Sequence, residues 1–505
     1  VRDEGQYDTI FLSDLDGRNG TRIVLQPGPW LRVAGRGDFN GDGAPDLAVG
    51  SGSNYTPSHG VGSGAGAIHV LTSLAPPFAP QRVVAPSGAP GAIRIRGTSG
   101  SDAAGTKLDM VDLRGDGLLD VLIGVPGSGR IAPISTGLER VAGAVSILNG
   151  RVATLAEDGT LGNAPGVDTI VGIPGTSAAS AFSRAGYTVS AIGDVNGDGR
   201  QDLALSSPAV GVSRNGEVHL VFGRSATTPL PANLAANAGG AVLVGAVNAA
   251  LGLDVRGIGD FDNDGIDDLA IVARTRLYVV RGRASFAGAN NIDFMPSVIL
   301  INPPVSTPVS NIFNTLDGSR RHAALSRGGD VDGDGFDDFV YAQADASGTP
   351  ARTSSYIVRG SAITNGVFTL PNVGGRQAIE VRHEWRGDSI AASADILPDF
   401  NGDGRADVVL GASGADEFGA HSGTTYLIYG RSGLPSVIDL FDRTPGVVRR
   451  IEGPALSRAG SEVRAVADFQ GDGLGDLAIT APDSGSVYLV FSNNGVFNGS
   501  LEARA

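Results

Sequence analysis

A nine-residue pattern, D-x-[D/N]-x-D-G-x-x-D, starts at Asp38, Asp112, Asp194, Asp260, Asp330, Asp399 and Asp468, and it constrains this chain more than any other feature. Successive starts lie 74, 82, 66, 70, 69 and 69 residues apart, so the chain is a repeat protein in which each copy marks one structural unit. The copies read DFNGDGAPD, DLRGDGLLD, DVNGDGRQD, DFDNDGIDD, DVDGDGFDD, DFNGDGRAD and DFQGDGLGD. Two depart at the third position, where Arg114 and Gln470 stand.

The spacing has a chemical meaning. Oxygens at positions 1, 3 and 5 of a tight loop converge on one point, glycine at position 6 permits the turn, and position 7 offers a backbone carbonyl. Position 1 supplies Asp38, Asp112, Asp194, Asp260, Asp330, Asp399 and Asp468; position 3 supplies Asn40, Asn196, Asp262, Asp332, Asn401 and Gln470. Position 5 supplies Asp42, Asp116, Asp198, Asp264, Asp334, Asp403 and Asp472, and the carbonyls belong to Ala44, Leu118, Arg200, Ile266, Phe336, Arg405 and Leu474. The closing acid falls at position 9: Asp46, Asp120, Asp202, Asp268, Asp338, Asp407 and Asp476. Hard oxygen ligands without His or Cys select calcium over zinc or copper. The expected cofactor is therefore structural Ca2+, about six or seven ions per chain.

Asp, Asn and Gly also form turns that need no metal. A plain turn, however, has no need of Asp at position 9 in all seven copies. Loop two is the exception, because Arg114 brings a cation to a ligand position and either weakens the site or replaces the ion with its guanidinium. Gln470 keeps a neutral carbonyl oxygen and is expected to bind. The seven loops hold 25 of the 53 acidic residues, and seven divalent ions would bring the formal charge from -15 to -1. Clustered carboxylates without metal repel one another.

Each loop is followed by an apolar strand ("DLAVG" from Asp46, "DVLIGVP" from Asp120), then by a second such as "EVHLVFG" or "SVYLVF", then by a weaker third. A segment like "AGYTVSAIGD" leads into the next loop, giving four strands per repeat. The fold class expected is all-β: a seven-bladed β-propeller of four-stranded antiparallel blades, one domain over 1–505. The last repeat stops near Phe491 while "TIFLS" and "TRIVLQ" stand spare at the N-terminus, so N-terminal strands are expected to complete the last blade and close the ring.

These repeats, D-x-N-G-D-G-x-x-D-L followed by an apolar strand ending near Gly-x-Pro and then "VYLVFG"-like strands, resemble the FG-GAP repeats of the integrin α-subunit headpiece and its bacterial and fungal relatives. The resemblance covers essentially the whole chain. It implies that each calcium loop joins the innermost strand to the second on the lower face, with ligands bound on the upper face. The upper-face loops so implied carry Asn54, Tyr55, His59, Arg130, Arg214, Asp416 and His421. The densest, "RHEWRGDSI", carries His383, Trp385, Arg386 and Asp388. Trp385 could stack on a sugar or anchor a protein. The histidines lack metal-ligand spacing, and Arg386-Gly387-Asp388 is within what chance yields in a chain so rich in these residues.

Composition narrows the function. With no Cys at all, disulfides, thiolate metal sites and cysteine nucleophiles are excluded, and Lys107 is the single lysine. The acidic charge argues against nucleic acid, and no apolar run reaches membrane-spanning length. The expected role is a calcium-stabilised binding or adhesion module that recognises a protein or glycan, a monomer, secreted or on a cell surface with its signal peptide removed. The competing readings are a propeller enzyme, such as a polysaccharide lyase, dehydratase or hydrolase, and a structural module of a longer chain. For the enzyme there is no Gly-x-Ser-x-Gly elbow, His-Glu-x-x-His or phosphate loop.

Overall fold

The structure, a computed structural model, describes residues 9–492 apart from 26–29, 52–63, 73, 85–90, 100–101, 129–140, 151–157, 163, 173–181, 209–214, 226–227, 232, 235–239, 287–290, 296–297, 303–322, 344–353, 362–365, 371–377, 383–389, 417 and 441–446.

Position 9 of the repeated loop opens a strand in six copies: Asp46–Ser51, Asp120–Val125, Asp202–Ser207, Asp268–Val272, Asp407–Ala412 and Asp476–Ala481; in the fifth, Phe339–Gln343 begins one residue later. These runs are largely apolar and buried at successive positions instead of alternating, because both faces of each small sheet are covered by neighbouring sheets. In blade 1 the innermost strand Leu31–Gly37 pairs with Asp46–Ser51, then come Ala67–Leu71 and Ala92–Arg96, all antiparallel. Seven sheets of this plan make a seven-bladed β-propeller.

The ring closes as the N-terminal residues lead one to expect. Blade 7 owns only Glu462–Val466, Asp476–Ala481 and Ser486–Val490, and Gly20–Val24 completes it, with Gly20 opposite Val490.

One feature departs from four-stranded blades. In five sheets a short fifth strand runs parallel to the outer strand: Gln81–Val83 on Gly20–Val24, Asp158–Thr160 on Ala92–Arg96, Gly366–Thr369 on Val298–Asn302, Val437–Asp439 on Ala378–Arg382, and Thr9–Phe11 on Val448–Glu452. Each comes from the following blade, four of them out of its connection between third and outer strands and Thr9–Phe11 from the segment ahead of the outer strand. The two remaining blades receive single parallel bridges from the same place, Val171 with Asn233 and Val244 with Asn291. The outer strand would otherwise present a free edge, and this cross-blade pairing covers it.

The core is divided like the ring, into seven apolar clusters, one between each pair of neighbouring blades. Each cluster contains the second residue of one acidic loop: Phe39, Leu113, Val195, Phe261, Val331, Phe400 or Phe469, all buried. The loops are thus plugged into the packing at one residue while their carboxylates gather outside it.

Candidate metal centres

All seven acidic loops join an innermost strand to the second strand of its blade, so the closed ring gathers them on one face. Neighbouring loops touch: the N–H at position 8 donates to the position 1 carbonyl of the preceding loop, as Leu119 to Asp38 (2.9 Å), Asp267 to Asp194 (3.2 Å), Asp337 to Asp260 (3.2 Å) and Ala406 to Asp330 (3.0 Å).

The position 1 carboxylate shapes the turn. Its Oδ2 accepts the N–H of the position 6 glycine in every loop, from 2.6 Å (Gly199, Gly473) to 2.9 Å (Gly335). Those glycines hold φ between 82° and 90°, with open space where a Cβ would stand, so left-handed backbone and not crowding requires glycine there.

The position 9 aspartates are buried. Oδ2 accepts the N–H of position 2 in six loops, at 2.8 Å in Asp46, Asp407 and Asp476 and 3.0–3.1 Å in Asp202, Asp268 and Asp338. Oδ1 accepts an N–H just after the third strand, Gly223 at 2.7 Å, Gly282 at 2.7 Å, Gly360 at 2.9 Å, Gly430 at 2.8 Å and Ser492 at 2.8 Å. One carboxylate therefore ties loop, second strand and third strand together.

Burial raises these acids despite the N–H bonds, and the other loop carboxylates raise them further. Asp46 and Asp120 are pushed up to about 6, Asp202, Asp407 and Asp476 to about 7, and Asp268 and Asp338 to about 8. In Asp120 the Arg114 charge works the other way.

The residues present fit a hard cation. Oxygens Oδ1 of Asp46, Asp262 and Asp332 and Oδ2 of Asp120 are buried and accept no hydrogen bond. In loops four and five the carboxylates of Asp260, Asp262 and Asp268, and of Asp330, Asp332 and Asp338, bring oxygens within 4.8 Å of one another. These are positions 1, 3 and 9 of the sequence pattern.

Position 3 divides the loops. Where it is Asn, the amide holds position 5: Asn40 Nδ2 to Asp42 (2.9 Å), Asn196 to Asp198 (3.0 Å), Asn401 to Asp403 (3.1 Å). Gln470 does likewise with Asp472 at 2.7 Å. Where it is Asp, an arginine just after the third strand pairs with it: Arg281 with Asp262 at 2.8 Å and Arg359 with Asp332 at 3.1 Å. The extra acid thus arrives with its own counter-charge, a correlation within the sequence that the nine-residue pattern does not contain. In loop two the guanidinium of Arg114 bridges Asp120 (2.8 Å) and Asp168 (2.6 Å).

Of the upper-face candidates, Asn54, Tyr55, His59, Arg130, Arg214, His383, Trp385, Arg386 and Asp388 lie outside the described residues. Asp416 and His421 are described and sit together, the His421 N–H donating to Asp416 Oδ1 at 2.6 Å with both side chains more than half exposed. His421 holds a left-handed φ of 49°. Close by, Phe418 meets Phe11 edge-on at 5.3 Å.

The molecule is thus a seven-bladed propeller with an acidic loop at the same corner of every blade, and three of its repeats match the FG-GAP repeat, consistent with an integrin α-like FG-GAP propeller. The FG-GAP repeat family matches residues 31–71, 185–221 and 391–428, which are the innermost, second and third strands of blades 1, 3 and 6 with their loops. The chain is also similar to phosphatidylinositol-glycan-specific phospholipase D from Rattus norvegicus, 40% identical over 119 residues, 23% of this chain and 13% of that protein. To the Homo sapiens protein of the same name it is 44% identical over 95 residues, 18% of this chain and 11% of that one. The similarity therefore spans about an eighth of those relatives. Among solved structures, rhamnogalacturonan lyase YesW aligns with a TM-score of 0.41 and 14% identity over 94% of this chain and 76% of that one.

Proposed function

We propose that the chain is a calcium-stabilised recognition propeller that acts outside the cell, with the metal loops setting the scaffold and the opposite face meeting a protein or glycan ligand. The observation that carries the calcium part is the set of buried carboxylate oxygens without donors at Asp46, Asp262 and Asp332, on a face where position 9 acids are already raised by burial. The residues that would hold each ion are positions 1, 3, 5 and 9 with the position 7 carbonyl, all oxygen. Such an ion cancels the repulsion that burial imposes and supplies a cross-link that a cysteine-free chain lacks. Extracellular calcium fills sites of modest affinity; cytosolic calcium does not. Among the described residues no helix is long and apolar enough to cross a membrane.

The test is metal analysis of the purified protein together with thermal unfolding in calcium and in excess chelator. Six bound ions and a large fall in melting temperature on chelation are expected. Unchanged melting and no bound calcium would leave the loops as turns only.

A second reading has one observation behind it: the identity of 40% and more to a protein named as a phospholipase D. On that reading the propeller belongs to an enzyme of which it forms one part. Glycan and protein arrays probed with the calcium-loaded propeller, set beside hydrolysis assays on glycosylphosphatidylinositol substrates, separate the two.

A further inference from the structure

Position 8 of the acidic loops is Pro45, Leu119, Gln201, Asp267, Asp337, Ala406 and Gly475, so only loops four and five carry a carboxylate there. Both acids reach the preceding loop. Asp267 Oδ2 accepts the N–H of Asp194, position 1 of loop three, at 2.7 Å, while the Asp267 N–H donates to the Asp194 carbonyl at 3.2 Å. Asp337 makes the same two bonds to Asp260, position 1 of loop four, at 3.0 and 3.2 Å. The residue that supplies the first ligand of one loop is thus gripped at both backbone polar groups by the next blade.

Gly193 and Gly259 make room for the grip. Both hold left-handed φ, 79° and 67°, and a Cβ on either would collide with the carboxylate of Asp267 or Asp337 respectively. The end of the third strand supplies a further link. In blade 4 Arg281 pairs with Asp262, the Gly282 N–H donates to Asp268 at 2.7 Å, and the Arg283 N–H donates to the Val195 carbonyl of loop three at 2.9 Å. In blade 5 Arg359 pairs with Asp332, the Gly360 N–H donates to Asp338 at 2.9 Å, and the Ser361 N–H donates to the Phe261 carbonyl of loop four at 2.9 Å. Three consecutive residues therefore touch two acids of one site and the backbone of the preceding loop.

The two acids also stand between sites electrostatically. Burial holds both above the ordinary carboxylate value, opposed by the bonds from the Asp194 and Asp260 N–H groups, and neighbouring carboxylates add to it: Asp194 and Asp260 on Asp267, and Asp267, Asp260 and Asp330 on Asp337. Arg36 works the other way on Asp267. Each position 8 acid therefore lies within reach of the position 1 acids of two successive loops, a negative charge placed where two cations would otherwise repel. In each case the next residue along, Asp268 or Asp338, is the closing acid of its own loop, so ordering the closing acid orders the grip on the preceding loop.

We propose that loops three, four and five take up calcium cooperatively, with Asp267 and Asp337 carrying the coupling from each site to the one before it. The coupling rests on the calcium reading of the loops. Its physical basis is shared ordering: once Asp338 is fixed, Asp337 already holds Asp260 in place, and loop four has less ordering left to pay for when it fills. Asp267 passes the same advantage to loop three. The block ends on both sides, because Ala406 gives loop six no carboxylate to grip loop five, and loop two, with Arg114 at position 3, is expected to stay metal-free. Coupling is reciprocal, so an ion in loop three favours loop five as much as the reverse.

Equilibrium dialysis against calcium reads the coupling directly. The wild-type chain is expected to fill three of its sites in one steep phase and the others independently. Asp334→Asn weakens loop five at position 5 while keeping the acceptor for the Phe336 N–H, and the other two ions of the block should then bind about tenfold more weakly. In an Asp337→Ala background the same change should leave those two ions unmoved, and Asp337→Ala alone should abolish the steep phase. Asp337→Asn, which keeps an oxygen for the Asp260 N–H, should retain it, and this milder variant decides the matter if the alanine chain fails to fold. Independent filling of all sites in the wild type, or a steep phase unchanged by Asp337→Ala, overturns the coupling and leaves the calcium reading standing. A chain that binds no calcium overturns both.

Discussion

Arg114 reaches across its own loop and sets Nη1 2.8 Å from Asp120 Oδ1, with Nη2 2.6 Å from Asp168. The guanidinium thereby meets the position 9 acid from position 3, where the other loops carry an oxygen. Loop two is expected to bind no calcium in the wild-type protein, so metal analysis should return six ions. Arg114→Asp should raise the count to seven. It should also destabilise the chelated protein, because Asp120 then loses its cation. Seven ions in the wild type would show that the guanidinium yields to metal.

The position 9 acids make a second test. Asp407 accepts N–H groups from Phe400 (2.8 Å) and Gly430 (2.8 Å) and is itself inaccessible. Asp407→Ala strands both donors, at about 1–3 kcal/mol each. A loss of about 2–6 kcal/mol is therefore expected in urea unfolding with chelator present. The loss should be larger in calcium, since the variant forfeits an ion as well. An equal loss in both conditions would mean that Asp407 is a hydrogen-bond acceptor and no ligand.

Much of this was legible in the sequence because the repeat amplified it. Seven copies of one loop, each opening an apolar strand, specify blades, and the unpaired segment around Thr21 to Val24 specifies closure. The short parallel strands were not legible: Gln81–Val83 and Val437–Asp439 are three residues long and owe their shape to the neighbouring blade. Nor was the grip of one loop on the next, since Asp267 and Asp194 are far apart in sequence and become partners only when their blades pack. Two signals were present and went unused: the apolar residue at position 2, and the arginine before the glycine in "VVRG" and "IVRG", which occurs in the two loops with Asp at position 3.

That arginine supports a prediction with opposite signs. Arg281 is 2.8 Å from Asp262, one of three carboxylates gathered in loop four. Arg281→Met removes a positive charge beside the metal position, so calcium should bind that loop more tightly, by up to about tenfold, a change of about 1.4 kcal/mol. Without metal the same variant leaves Asp262 facing Asp260 and Asp268 alone, and the melting temperature should fall. Calorimetric titration and chelated melting curves read the two effects separately.

Ring closure can be tested at Ile23, which is fully buried between blades 7 and 1 on the strand that completes blade 7. Ile23→Ala should cost about 2–5 kcal/mol, as for a large aliphatic side chain removed from a packed core. Deletion of residues 1–24 takes away both that strand and Thr9–Phe11, opening two blades at once. The shortened chain is expected to lose cooperative unfolding, measured by circular dichroism against temperature. A truncated protein that melts like the whole chain would show that closure contributes nothing to stability.

The pH dependence of the chelated protein follows from the raised acids. Asp202, Asp407 and Asp476 titrate near 7 and Asp268 and Asp338 near 8 when folded, against 3.8 when free. The folded state therefore holds more protons than the unfolded chain between about pH 4 and 8, and stability falls as pH rises through that window. Chelated protein should melt highest near pH 5 and lose ground steadily towards pH 8. With saturating calcium the order reverses, because the ion binds the deprotonated carboxylates and is displaced as pH falls. Melting curves at pH 5, 6, 7 and 8, with and without calcium, should therefore cross; parallel curves would mean that the buried acids do not bind the ion.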